Sequence, residues 1–254
     1  MPLSLSGLRS IGFSVKRGSE KFATESAPSD LLAWQDFCNS LEPPAEEPFV
    51  EAYRGHLEKL NAIIRATGEQ LEGNLFYHHR SPEFIDIPDA TRRHKRMAFA
   101  AFAMAGDRLL EVGFNAGHSA LLALTANPRL VYSGIDIGVH RYTRPCFDYL
   151  RSVFGARIDL RIGSSEDVLP LYATQRPRRW QRLHIDGGHK IEIAYRDLVL
   201  ACRVVGQGGL ILLDDVNAKS VRAAGNMLLM EGRCTLQRLL PGFSDTEQAV
   251  LLVN

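Results

Sequence analysis

Leu109-Leu110-Glu111-Val112-Gly113-Phe114-Asn115-Ala116-Gly117-His118-Ser119-Ala120 reads as a short apolar strand, a tight turn with two glycines and the start of a helix. In open α/β sheets ligands bind outside the carboxyl ends of the strands, so such a turn marks a candidate binding edge. A dinucleotide fingerprint would need glycine at position 115 for close approach to a pyrophosphate, and Asn115 stands there instead. The turn still offers backbone N–H groups at a helix N-terminus, which suits a carboxylate.

Working outward, apolar runs recur at Arg108–Gly113, Val131–Asp136, Arg157–Gly163, Arg182–Asp186 and Gly209–Asp214, each followed by a stretch of helical character. Strand and helix in alternation imply parallel pairing, right-handed crossovers and helices on both faces. The end of the chain differs. Cys234–Leu240 and Ala249–Val253 are joined through Pro241-Gly242-Phe243-Ser244-Asp245, too short for a crossover helix, so the last strand is expected to be antiparallel. The expected fold is doubly wound α/β, with a seven-stranded, mostly parallel sheet.

Two helices should precede this sheet. Phe49, Tyr53, Leu57, Leu60 and Ile64 recur at spacings of three and four, with Gly68 as a stop. Asp89 is a natural N-cap for a helix through Met97, Phe99 and Phe102 to Gly106. The Pro-rich stretch Glu42-Pro43-Pro44-Ala45-Glu46-Glu47-Pro48 acts as a hinge after a Ser- and Gly-containing start. Residues 1–70 are therefore expected to form an accessory segment, a lid or a homodimer element, and residues 71–254 the catalytic domain.

Thirty Lys and Arg against 29 Asp and Glu leave a net charge of +1, which lacks the basic excess of a dedicated nucleic-acid binder. Four scattered cysteines, Cys38, Cys146, Cys202 and Cys234, form neither a CxxC pair nor a metal cluster, and suit a reducing compartment. No apolar run is long enough to span a bilayer, so a cytoplasmic location without membrane contact is expected. Residues 1–19 hold several serines and no acid, a pattern that suits a surface arm or active-site cover, or a transit peptide.

The strand ends carry the chemistry. Asp136 follows Gly113 by 23 residues, close to the ~20 expected of an acid that binds ribose hydroxyls. Gly163-Ser164-Ser165-Glu166-Asp167 offers hydroxyls and an acid to an adenine edge, or simply caps a helix. Leu183-His184-Ile185-Asp186-Gly187-Gly188-His189 and Leu212-Leu213-Asp214-Asp215-Val216-Asn217 bring three carboxylates to neighbouring strand ends. Carboxylate oxygens without thiols suit a hard divalent cation such as Mg²⁺, unless Asp215 and Asn217 merely cap the next helix.

Residues from about 95 to 254 resemble the class I S-adenosylmethionine-dependent methyltransferases, and more narrowly their catechol O-methyltransferase-like branch. The resemblance rests on Glu-x-Gly-x-x-x-Gly at 111–117, Asp136, Gly-Ser-Ser-Glu-Asp at 163–167, and the aspartates 186, 214 and 215. It implies that Glu111, Gly113, Phe114, Asn115, Gly117, Ser119, Asp136, Ser165, Glu166 and Asp186 hold S-adenosylmethionine. It also implies that Asp186, Asp214 and Asp215 ligate Mg²⁺ or a similar divalent cation. Two positions depart from the animal catechol enzymes: Asp215 replaces an asparagine ligand, and His189 replaces a lysine base. A histidine base is chemically sound near neutrality. His189 and Asp186 are therefore the catalytic candidates, with a small hydroxylated molecule as acceptor.

His78 and His79 would line an acceptor pocket or sit in a packed loop. The basic runs Arg92-Arg93-His94-Lys95-Arg96 and Arg176-Pro177-Arg178-Arg179-Trp180 read as solvated faces. The resemblance also implies an alternative acceptor, a hydroxylated base of a tRNA, since some relatives of that branch modify tRNA; it would need both runs to flank the site. A metal-independent small-molecule methyltransferase and a non-catalytic adenosine-binding protein are the other readings.

Overall fold

A computed structural model describes residues 49–73, 75–77, 88–175, 179–240 and 248–254. The chain order is α1 (Val50–Thr67), a 3₁₀ turn (Ala90–Arg92), α2 (Arg93–Met104), β1 (Arg108–Val112), α3 (His118–Ala126), β2 (Val131–Asp136), α4 (Thr143–Phe154), β3 (Ile158–Ile162), α5 (Ser165–Gln175), β4 (Arg182–Ile185), α6 (Ile191–Val205), β5 (Leu210–Leu213), α7 (Lys219–Met230), β6 (Cys234–Leu240) and β7 (Gln248–Val253). Each expected strand and both leading helices are present. Asp89 caps the 3₁₀ turn by accepting from the Thr91 N–H, and Gly68 ends α1 with a left-handed φ of 68°. The accessory arm expected N-terminal to α1, His78, His79 and the link at Pro241–Asp245 lie outside the described residues.

The strands form one seven-stranded sheet in the order β3-β2-β1-β4-β5-β7-β6. β7 runs antiparallel to both β5 and β6, as the short link requires, and the other pairs are parallel. The chain winds one way from β1 to β3 and the other way from β4 onward. The switch point therefore lies between the carboxyl ends of β1 and β4, where a ligand cleft is expected.

Strand side chains alternate between two apolar layers. Leu109, Tyr132, Leu160 and Leu212 pack with α1 to α4, while Leu110, Ile135, Leu183, Ile185 and Ile211 pack with α5 to α7. Tyr53, Leu57, Leu60 and Ile64 of α1 are 0% exposed within the first layer. Burial on this scale contributes roughly 1.5–3 kcal/mol per large side chain, so α1 is part of the core. His56 Nδ1 lies 2.8 Å from the Tyr149 hydroxyl of α4, fixing the helix laterally. Among the described residues no helix is long and apolar enough to cross a membrane.

Candidate active site

The turn after β1 depends on its two glycines. Gly113 has φ 98°, and a Cβ there would lie 1.9 Å from the Asp186 carbonyl oxygen, because the ends of β1 and β4 meet closely at the switch point. Gly117 has φ 77° and sits against Phe114 and Leu150, where a Cβ would meet carbons at 2.6 and 2.7 Å. Asn115 adopts the left-handed region at φ 52°, which asparagine tolerates better than most residues. Its backbone N–H donates to Asp136 Oδ2 at 2.7 Å, and its side-chain oxygen accepts from the Tyr142 hydroxyl at 2.7 Å. The other oxygen of Asp136 accepts from Gly138 N–H at 2.7 Å. Thus Asp136 and the glycine turn are joined directly. Just beyond it, Ile137 and Val139 are 64% and 68% exposed, an apolar surface that the sequence reading did not single out.

At the end of β3, Ser164 and Asp167 cap α5 reciprocally: Asp167 N–H reaches Ser164 Oγ at 3.3 Å and Ser164 Oγ donates to Asp167 at 2.7 Å. Ser165 opens the helix, and Glu166 pairs with Arg196 of α6. Ser164 and Asp167 thus cap α5, with Ser165 as its first residue.

Beneath the turn lies a buried polar hub. Glu111 and His184 occupy paired register positions on β1 and β4 and point into the same layer. Glu111 accepts from Ser119 Oγ at 2.6 Å and from the Tyr132 hydroxyl, and it meets His184 Nδ1 at 2.6 Å. Burial alone would lower the His184 pKa, but Asp214, 3.6 Å from its Nε2, and the hydrogen bond to Glu111 push it up to about 10. Glu111 and Ser119 thus hold the floor of the turn from inside. Asp186, at the rim of this hub, is pushed up to about 7 by desolvation and by the negative charge of Asp214.

The last carboxylates follow β5. Asp214 Oδ1 accepts from the Asp215 N–H at 2.8 Å, and Asp214 Oδ2 lies 2.7 Å from Lys95 Nζ of α2. Asp215, with a left-handed φ of 54°, meets His189 Nε2 at 2.9 Å and Lys95 Nζ at 3.9 Å. Neither Asp215 nor Asn217 caps α7, whose N-cap is Ala218 without a side-chain bond. His189 is 55% exposed on its side chain, and its carbonyl accepts from Ser220 Oγ at 2.5 Å. The bond to Asp215 is the largest cause raising the His189 pKa above the ordinary histidine value.

These donors do not fit a divalent cation as they stand. A buried ammonium lies 2.7 Å from one oxygen of Asp214, the other oxygen accepts the Asp215 N–H, and one oxygen of Asp215 is held by His189. Among the described residues, the group whose three ligand atoms lie within 4.8 Å of one another is Glu111, His184 and Asp186, not the three aspartates. Two members of that group are already bonded to each other.

The run at 92–96 corrects the expectation of a solvated face. Arg92, Lys95 and Arg96 are buried. Arg96 donates to the carbonyls of Leu75 and Asp89 at 3.1 and 2.8 Å, whereas Lys95 is aimed at Asp214. In the second run, Trp180 is buried and stacks on Tyr172 at 4.7 Å, with Arg176, Pro177 and Arg178 outside the described residues. Cys202 and Cys234, far apart in sequence, bring their sulfurs to 3.4 Å as free thiols.

A family model described as "Methyltransferase domain" matches residues 110–216, the stretch from β1 to the Asp214–Asp215 edge. No curated protein matches the chain. Among solved structures, it is similar to the O-methyltransferase TomG from Streptomyces achromogenes, involved in tomaymycin synthesis and solved with SAM, at 16% identity and TM-score 0.58, over 78% of this chain and 89% of that one. It is similar to an O-methyltransferase from Bacillus cereus in complex with SAH, at 14% identity and TM-score 0.56, over 78% and 90%. Cofactor-bound Rv0187 from MTB gives 19% identity and TM-score 0.55, over 91% and 99%. At such identities the likeness carries the fold.

Proposed function

From the premise that this chain belongs to the class I S-adenosylmethionine-dependent methyltransferases, we propose that it methylates an oxygen of a small hydroxylated molecule, with His189 as base. The observation that carries the proposal is the His189–Asp215 pair beside the β1/β4 switch point, 2.9 Å apart and open to solvent on the histidine side. The solved structures that share the fold include an O-methyltransferase involved in tomaymycin synthesis, which favours the same acceptor class.

The cofactor would lie across the switch point. Asp136 keeps lone pairs for ribose hydroxyls after accepting two backbone N–H groups. The methionine carboxylate suits the N–H groups of Ala116, His118 and Ser119 at the start of α3, since those of Asn115 and Gly117 are already bonded to Asp136 and the Phe114 carbonyl. Gly113, Phe114 and Gly117 shape that turn, Glu111 and Ser119 support it, and Ile137 offers an apolar face to adenine with Ser165 and Glu166 at its rim. Asp186 stands where the sulfonium end and the acceptor would meet. Asp136→Ala is expected to weaken S-adenosylmethionine binding by roughly 10- to 100-fold, the scale of a lost charged hydrogen bond. Calorimetry checks this, and undiminished affinity would reject the assignment.

S-adenosylmethionine bound there would supply the methyl group, an O–C bond forming as the S–C bond of the sulfonium breaks and S-adenosylhomocysteine being left. The acceptor proton goes to His189. Asp215 holds the Nε2–H of His189, so the lone pair lies on Nδ1, and the carboxylate stabilises the imidazolium that forms. His189→Ala is expected to lower turnover by on the order of 10²-fold with little change in cofactor affinity. Equal losses in binding and turnover would make His189 a support of its loop instead. A metal-assisted step through Asp186, Asp214 and Asp215 is the competing reading, opposed by the ammonium on Asp214. An RNA acceptor is disfavoured because Arg92, Lys95 and Arg96 are buried and cannot meet phosphates.

A further inference from the structure

α2 opens with Arg93-His94-Lys95-Arg96 and has no acid in its first turn. Cations at a helix N-terminus oppose the macrodipole, and burying them adds a desolvation cost. Both costs need a compensating partner. Arg96 has backbone carbonyls and the Phe76 ring, 5.6 Å from its guanidinium carbon. Lys95 has carboxylates: Asp214 Oδ2 at 2.7 Å and Asp215 Oδ1 at 3.9 Å. One helical turn later, Phe99 packs on the His184 ring at 4.9 Å, so α2 is seated firmly over β4. The reach of Lys95 is therefore set by the helix and not by a free surface rotamer.

Resting on the methyltransferase reading above, we infer that Lys95 is a built-in counter-ion that fills the cation position between Asp214 and Asp215, so that this enzyme transfers methyl groups without a divalent metal. Mg²⁺ needs oxygen ligands at about 2.0–2.1 Å, and a buried ammonium on the same Asp214 oxygen blocks that approach sterically and by charge. The second Asp214 oxygen is bonded to the Asp215 N–H, and Asp215 is turned to His189. Lys95 is thus a positioning residue. It fixes Asp214 and Asp215, and through Asp215 it aims His189. With no Lewis acid to acidify the acceptor, the base alone must take the proton, which selects phenol-like or enol-like hydroxyls over aliphatic alcohols. A vicinal diol has no chelation advantage in such a site.

Mn²⁺ is the probe, titrated against the purified full-length protein and followed by the electron paramagnetic resonance signal of the free ion. The wild type is expected to leave millimolar Mn²⁺ free. Lys95→Ala and the shape-keeping Lys95→Gln are each expected to gain one site per chain, on the order of 100-fold tighter than any binding to the wild type, the scale of removing a buried charge partner. One Mn²⁺ per wild-type chain, lost in Asp214→Asn, would overturn the inference. So would Lys95 variants that fold yet gain no site. If neither variant folds, the wild-type titration alone decides between the two. Failure of the methyltransferase reading is separate, since it would appear as absent S-adenosylmethionine binding and leaves the Mn²⁺ result unchanged.

Discussion

Glu111→Ala is expected to lower the unfolding free energy by about 3–5 kcal/mol, the cost of leaving one side of a buried ionic hub without its partner. For a chain of this size that corresponds to a fall in Tm of roughly 10 °C. The reason is geometric. Glu111 is fully buried and gathers Ser119, Tyr132 and His184, so alanine would leave two hydroxyls and an imidazolium without an acceptor. The His184 contribution has a defined pH window. Its folded pKa of about 10 lies above the unfolded value of about 6.5, so that stability is complete below pH 6.5 and is lost as pH rises through 10. Glu111→Gln keeps the shape and one acceptor, and should lose clearly less than alanine. Denaturant unfolding at pH 7 measures both. A Glu111→Ala protein within about 1 kcal/mol of the parent would show that the hub does not hold the turn.

Much of this architecture was legible because it rests on local pattern. Period-two and period-3.6 apolar spacing located every strand and the two leading helices, and the short link before β7 determined its direction. β3 begins at Ile158, one residue later than the apolar run suggests, because Gly155–Arg157 close a 3₁₀ turn. The position of Asp136 beside the glycine turn follows from spacing alone, since the β1–turn–helix unit places the next strand end there. Lys95 was not legible in the same way. A run of five basic residues reads as solvated, and its partner Asp214 arrives from a distant strand through the packing of α2. The available signal was local conflict, a helix whose first turn has cations and no acid. His184 carried a similar signal, as an imidazole in the middle of an otherwise apolar strand that demands a buried partner. The approach of Cys202 to Cys234 had no sequence signal, because it depends on how α6 sits against β6.

Below pH 6.5 the protein is expected to lose stability at about 1.4 kcal/mol per pH unit through one residue, His118. His118 opens α3 immediately after the glycine turn and is 2% exposed. Its ring lies 5.7 Å from Phe76 and 6.0 Å from Tyr77, and neither nitrogen has a hydrogen-bond partner. Burial pushes its pKa down to about 3. The folded state thus keeps His118 neutral while the unfolded chain takes up a proton below about 6.5. The stability it contributes is present above pH 6.5, falls with pH and is gone at about pH 3. The shared groups, His184 and Asp186 among them, cancel when a variant is compared with its parent. His118→Phe keeps an aromatic ring in an aromatic pocket and removes the titration. It should match the parent within about 1 kcal/mol at pH 7 and exceed it by roughly 3 kcal/mol at pH 4. Urea unfolding of the two proteins at pH 7, 5.5 and 4 tests this. Parallel pH profiles would mean that the folded protein protonates His118 as readily as the unfolded chain, which requires water or a polar partner to reach the imidazole beneath the glycine turn.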